Sequence, residues 1–162
     1  MATSYSALYE WFYRRIEKDI EFFNYFNLTD KEAMELAEKR AFGYMNEAVA
    51  KITLECQPSV DFSKRDDTLK QFNFDLNDTE FLIISSVMYQ YYLDRDIPHL
   101  LTLNVNFTPT ELKVFDPSGA RGSFMSMYKF LCEQNDSLLD KYKDTDRETG
   151  KNRTVDFSIN DK

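Results

Sequence analysis

The sequence predicts a mainly α fold: a helical bundle of about four helices with a small β-hairpin as an open further element and an extended C-terminal tail. Three observations predict it. Apolar residues recur every three or four positions over long stretches that begin near Ser4, Asp30 and Ser123, the period of a helix with one buried face. The stretch Asn77 to Asp96 is apolar nearly all round, which marks a helix enclosed by neighbours. Gly and Pro number only 4 each, while 43% of the residues are hydrophobic, so a turn-rich all-β scaffold is disfavoured and a real core can be filled. A chain of 162 residues suits one domain, read as a helical domain over 1–143 followed by a flexible arm over 144–162.

From Ser4 to Phe26, Leu8, Phe12, Ile16, Ile20 and Phe23 form a stripe with charged residues away from it. Trp11 and Phe22 widen that stripe. They are read either as a broad core contact or as surplus aromatics that meet another subunit. Thr29 and Glu32 form a capping box that opens a second helix running to about Glu55. Its Ala33, Ala37, Ala41 and Ala48 let a partner helix approach closely, and its length is about 39 Å at about 1.5 Å per residue.

Gln57 to Leu76 is a polar segment punctuated by Val60, Phe62, Leu69, Phe72 and Phe74. A loop of this length carries function or contacts a partner more often than a short one. The alternation Phe72, Phe74, Leu76 suits a short strand and equally an apolar entry to the next helix. That helix, over Asn77 to Asp96, opens with Asn77 and Glu80 three apart, a second capping pair. It is too short, and too interrupted by Ser85, Ser86 and Gln90, to span a bilayer.

Leu101, Leu103, Val105 and Phe107 then alternate as an extended segment, which becomes a hairpin if Leu112 and Val114 form the returning strand. Asp116, Pro117, Ser118 and Gly119 read as a turn. The helical period returns from Ser123 to Lys143 with Phe124, Tyr128, Leu131, Leu138 and Tyr142. Beyond Asp144 the composition is too polar to collapse by itself. Val155, Phe157 and Ile159 nevertheless alternate with Asp156 and Ser158, as in a strand that adds to a groove or sheet on another chain.

Chemistry is sparse. His99 is the only histidine, so a triad or a histidine metal cluster would have to recruit it alone, and capping or packing is the plainer role beside Pro98. Cys56 and Cys132 lack a metal-binding or redox spacing. The acidic pairs Asp66 with Asp67 and Asp94 with Asp96 lack the ligand spacing and turn glycine of a calcium loop. No cofactor or metal is expected, and an enzyme would have to work with carboxylates alone, which nothing distinguishes from ordinary surface charge. The net charge of −8 argues against gripping nucleic acid through its phosphates, and Met1 to Glu10 has neither the basic nor the apolar region of a secretory signal.

The order of elements resembles one family, the head-tail connector (neck adaptor) proteins of tailed bacteriophages. The residues that carry the resemblance are the amphipathic first helix, the Ala-rich helix from Asp30, NDTEF leading into the helix that ends YQYYLDRD, and TELKVFDPSGARGSFMSMYKFL with its basic Arg121. The resemblance implies a virion subunit, assembled in the host cytoplasm, that forms a cyclic homo-oligomer on the portal protein. It also implies docking to the next neck or tail-completion protein, with DNA only as passing cargo and no membrane. On that reading the partner-binding residues are Trp11, Phe22, Phe62, Phe72, Phe74, Arg121, Val155, Phe157 and Ile159. The competing expectation is a small helical interaction or regulatory protein that uses the same aromatic surface.

Overall fold

The structure is a computed structural model that describes residues 2–17, 20–23, 27–56, 58–95, 97 and 117–153, with the side chains at 20, 21 and 117–121 left aside. It is mainly helical: α1 (Tyr5–Ile16), α2 (Ile20–Phe23), α3 (Asp30–Cys56), α4 (Asp78–Asp94) and α5 (Pro117–Asp144). A small antiparallel sheet in the order β1-β3-β2 joins Thr3–Ser4 (β1), Arg65–Asp66 (β2) and Gln71–Phe72 (β3).

The helix starts are built as their sequences dictate. The Thr29 amide donates to Glu32 Oε2 at 2.9 Å, and Glu32 returns its amide to Thr29 Oγ1. Accepting the Thr29 amide and hydroxyl holds the Glu32 carboxyl below its usual range. Asn77 and Glu80 exchange the same pair of bonds at the start of α4, both at 2.9 Å. Orphan amides of each first turn are thereby satisfied.

The core lies where α4 is enclosed by α1, α3 and α5. Ile83, Ile84, Val87 and Met88 of α4 are buried, opposite the α3 stripe of Ala33, Ala37, Ala41, Met45, Ala48 and Ile52. Alanines on that stripe admit the aromatic rings of α1 and α4 at close range. Phe12, Phe22, Tyr44 and Tyr92 meet there edge to face or tilted, with ring centroids 5.7 to 6.1 Å apart. Tyr44 meets Tyr92 near the end of α4, and Cys56 meets Leu139 while Glu80 meets Tyr142, so α3 and α4 run antiparallel.

Helix α5 runs antiparallel to α4 in turn. Tyr128 donates to Asp94, Asn135 to Ser86 O (3.2 Å) and Gln90 Oε1 (3.0 Å), and Tyr142 to Glu80 at 2.8 Å. These polar pairs lie between otherwise apolar surfaces and fix one register, since a slip of a turn would leave buried Asn135 and Gln90 unpaired.

Three expectations are corrected. The first helix does not run unbroken to Phe26: α1 ends at Ile16, and Phe22 sits on the separate short α2. The break folds Phe22 back onto Phe12 and Tyr92. Of the turn expected over Asp116 to Gly119, Asp116 lies outside the described residues and Pro117 to Gly119 instead open α5, because proline has no amide to leave unsatisfied there and its φ suits a helix start. The segment 57–76 is not an exposed loop. Its β2 and β3 pair with β1 in the register Arg65 to Phe72 and Thr3 to Phe72, and it inserts Phe62 and Phe72 into the core.

Residues 145–153, the first part of the expected arm, form a turn against the helices. Thr145 bridges to Asn152, Asp146 accepts the amide of Thr149 at 2.8 Å, and the turn between them carries Arg147 onto α4. The hairpin expected within 101–116 and the alternating segment 155–159 lie outside the described residues.

Candidate interaction surface

The residues expected to meet a partner divide sharply. Phe22, Phe62 and Phe72 are fully buried inside the single chain and build its core. Phe62 and Phe72 pack at 6.5 Å, and Phe74 closes on both at 5.7 Å with the Arg147 guanidinium 5.9 Å above its ring. Trp11 is half-buried and stacks on Phe81 of α4 at 5.6 Å and 20°. The surplus aromatics of α1 and α2 are thus spent within the subunit. Arg121 lies in the opening turns of α5, its side chain outside the described residues, as are Val155, Phe157 and Ile159 altogether.

A different surface is exposed. Tyr128 lies opposite Asp94, the last residue of α4, so residues 117–127 of α5 extend beyond the α4 terminus by about 16 Å at about 1.5 Å per residue. Met125 and Met127 are exposed on this stretch, and Phe130, just past Tyr128 and level with the last turn of α4, is 59% exposed. Their positions fall off the stripe that α5 turns inward through Phe124, Tyr128, Leu131, Asn135, Leu139 and Tyr142. Phe130 therefore has no role in holding α5 to the bundle.

A second apolar feature lies on α3. Asn46, Val49, Ala50, Thr53 and Leu54 of α3, with Phe62, Ser63 and Arg65, line a groove of about 650 Å³, and Leu54 is 81% exposed there. The buried Asn46 Oδ1 has no hydrogen-bond partner among the described residues. Where α3 and α5 meet, Lys51 Nζ lies 3.2 Å from Asp136 and 3.9 Å from Glu55, which fixes this face of α3 against the inner half of α5. The exposed patch on α5 and the groove beside Leu54 are separate surfaces of the bundle.

These patches escaped the sequence reading for one reason. Periodicity singles out residues that share a stripe, and Phe130, Met127 and Leu54 are apolar residues off the stripe of their own helices. That mismatch was the available signal.

Among the described residues, no group of three or more His, Cys, Asp or Glu could hold a metal ion, and no helix is long and apolar enough to cross a membrane. Cys56 is buried with its thiol pushed above its ordinary range by desolvation, and it donates to Leu139 O at 3.5 Å, so it is disfavoured as a nucleophile. No family model, curated protein or solved structure matches the chain.

Proposed function

We propose that the chain is a non-enzymatic assembly subunit, a head-tail connector (neck adaptor) of a tailed phage. In this reading it forms a ring with copies of itself on the portal protein and offers the opposite face to the next neck or tail-completion protein. The observation that carries the proposal is the exposed apolar patch of Met125, Met127 and Phe130 on the N-terminal half of α5. An apolar patch turned away from the core is what a neighbour can bury, and large apolar side chains dominate the energetics of such contacts.

A ring built head to tail needs two different, complementary surfaces on each subunit. The α5 patch and the groove beside Leu54 supply such a pair. The net charge of −8 supports a channel wall over which DNA slides without being held. Location in the virion neck, after assembly in the host cytoplasm, follows from the same reading.

Light scattering and electron micrographs of the purified chain, alone and mixed with a portal protein, test it. Rings that include the chain are expected. A chain that stays monomeric under both conditions would remove the adaptor reading and favour a regulatory protein that binds a single partner.

A further inference from the structure

A cleft of about 400 Å³ opens between α1, α3 and the turn that joins β2 to β3, away from the α5 patch. Tyr5, Tyr9 and Phe42 form its apolar walls, with the Tyr5 ring 6.3 Å from Tyr9 and 6.0 Å from Phe42. Glu35, Glu38 and Asp67 place carboxylates in the lining and Lys39 and Lys70 place ammonium groups there, a formal excess of one negative charge.

The hydrogen-bonding inventory is unbalanced in the same sense. Tyr5 donates its hydroxyl to Asp67 Oδ1 at 2.6 Å. Tyr9 is only 4% exposed, and its side chain lines the cleft. Behind it the Tyr13 hydroxyl is sealed from solvent and has no hydrogen-bond partner among the described residues. Burial, the hydroxyls of Tyr13 and Tyr5, and the carboxylates of Glu38 and Asp67 all hold the Tyr9 phenol protonated well above its ordinary range.

The fold already places cations at this cleft. Lys70 adopts a left-handed backbone, φ 51°, which a residue with a Cβ seldom takes. That conformation is held by its carbonyl, which accepts the Tyr5 amide at 2.8 Å, and the side chain sets its ammonium 2.7 Å from Glu38 Oε2. On another side the Arg65 guanidinium lies 3.4 Å from Asp67 and 6.0 Å from the Phe42 ring. Because Lys70 remains 65% exposed in its side chain, its ammonium can leave Glu38 for water at little cost.

We infer that this cleft binds an alkylammonium group, which replaces the Lys70 ammonium on Glu38, donates a further hydrogen bond to the Tyr9 hydroxyl and lays its carbon chain against Tyr5, Tyr9 and Phe42. Aromatic faces and carboxylates attract a cation together, whereas an anion would meet Glu35, Glu38 and Asp67 in the same lining. A free diamine and a lysyl side chain of another protein share this chemistry.

The test titrates the full chain with cadaverine and, separately, with Nα-acetyl-lysine methylamide, followed by calorimetry and by amide chemical shifts. Saturable binding of either probe is expected, with shifts centred on Tyr5, Tyr9, Phe42 and Lys70. Cadaverine alone would point to a free amine, and the lysyl probe alone to a protein side chain. Glu38→Gln should weaken binding tenfold or more and Tyr9→Phe severalfold, both with an unchanged circular dichroism spectrum. Lys70→Met should tighten binding severalfold, because the internal competitor is gone. Absence of saturation by both probes, weaker binding in Lys70→Met, or tighter binding of inorganic phosphate than of either amine would each overturn the inference.

Discussion

Arg147 grips Glu80 with two hydrogen bonds, Nε to Oε1 at 2.7 Å and Nη2 to Oε2 at 3.1 Å, and Glu80 is 1% exposed. The carboxylate also accepts the Asn77 amide and the Tyr142 hydroxyl, and it sits at the N-terminus of α4 where the helix dipole favours negative charge. Arg147 spends its remaining reach on the Asp75 carbonyl. One ion pair therefore ties the C-terminal turn, α5, α4 and the entry to α4 at a single point. Removing one partner of such a pair strands the other, and that cost exceeds the net worth of the intact pair.

Arg147→Ala should accordingly lower the unfolding free energy by about 3 kcal/mol, the low end for a broken buried pair because Tyr142 and Asn77 still serve Glu80. Urea denaturation gives the value. Replacing both partners, Glu80→Gln with Arg147→Met, should cost less than Arg147→Ala alone. A double variant as damaged as the sum of its singles would show that the two residues act independently.

Phe22→Ala should cost about 3 to 5 kcal/mol, the usual penalty for emptying an aromatic site in a packed core. Its ring touches Phe12, Phe23 and Tyr92 and is fully buried. Leu54→Ser, on a side chain 81% exposed, should change stability by less than about 0.5 kcal/mol. Thermal melts of the two variants separate a core role from a surface role directly.

The contrast between those two residues marks how far the sequence was readable. Helix starts were legible because capping is local: Thr29 with Glu32 and Asn77 with Glu80 pair within three residues. The inward stripes of α3 and α5 were legible because burial imposes a period. The destination of an aromatic residue in an irregular segment was not. Phe62 and Phe72 become core only because β1, from the far end of the chain, pairs with β3 and closes the segment over α3. Nor did the sequence show that Arg147 returns to Glu80 across 67 positions, since no period or cap links them. At the interaction surface the sequence reading chose large aromatics, whereas exposure is decided by side-chain direction on a helix, which places Phe130 outward and Tyr128 inward two residues apart.

If the α5 patch of one subunit fits the α3 groove of the next, Phe130→Asp and Leu54→Asp should each stop ring growth while leaving the melting temperature of the subunit within a few degrees of the parent. An equimolar mixture should then yield a discrete heterodimer and no larger species, because one intact patch faces one intact groove. Sedimentation velocity resolves these states. Growth of rings in either single variant would place the subunit contact elsewhere.

The turn that delivers Arg147 should be sensitive to acid. Asp146 Oδ1 accepts the Thr149 amide at 2.8 Å, the Thr149 hydroxyl at 2.8 Å and the Glu148 amide at 3.2 Å, and these bonds hold its carboxyl below the usual range. A carboxyl whose folded pKa lies below its unfolded value of about 3.9 contributes stability above that value and loses it as the pH falls through the folded pKa. The turn should therefore keep its full protection from hydrogen exchange at neutral pH and down to about pH 5, then lose it below about pH 4. Amide exchange at Thr149 and Gly150, followed against amides of α4 as an internal reference, reports the loss. In Asp146→Asn the acceptor oxygen remains but cannot titrate, so protection of the turn should be lower at pH 7 and nearly flat between pH values of about 3 and 7. Protection that instead rose on acidification in the parent chain would mean that some group other than Asp146 governs the turn.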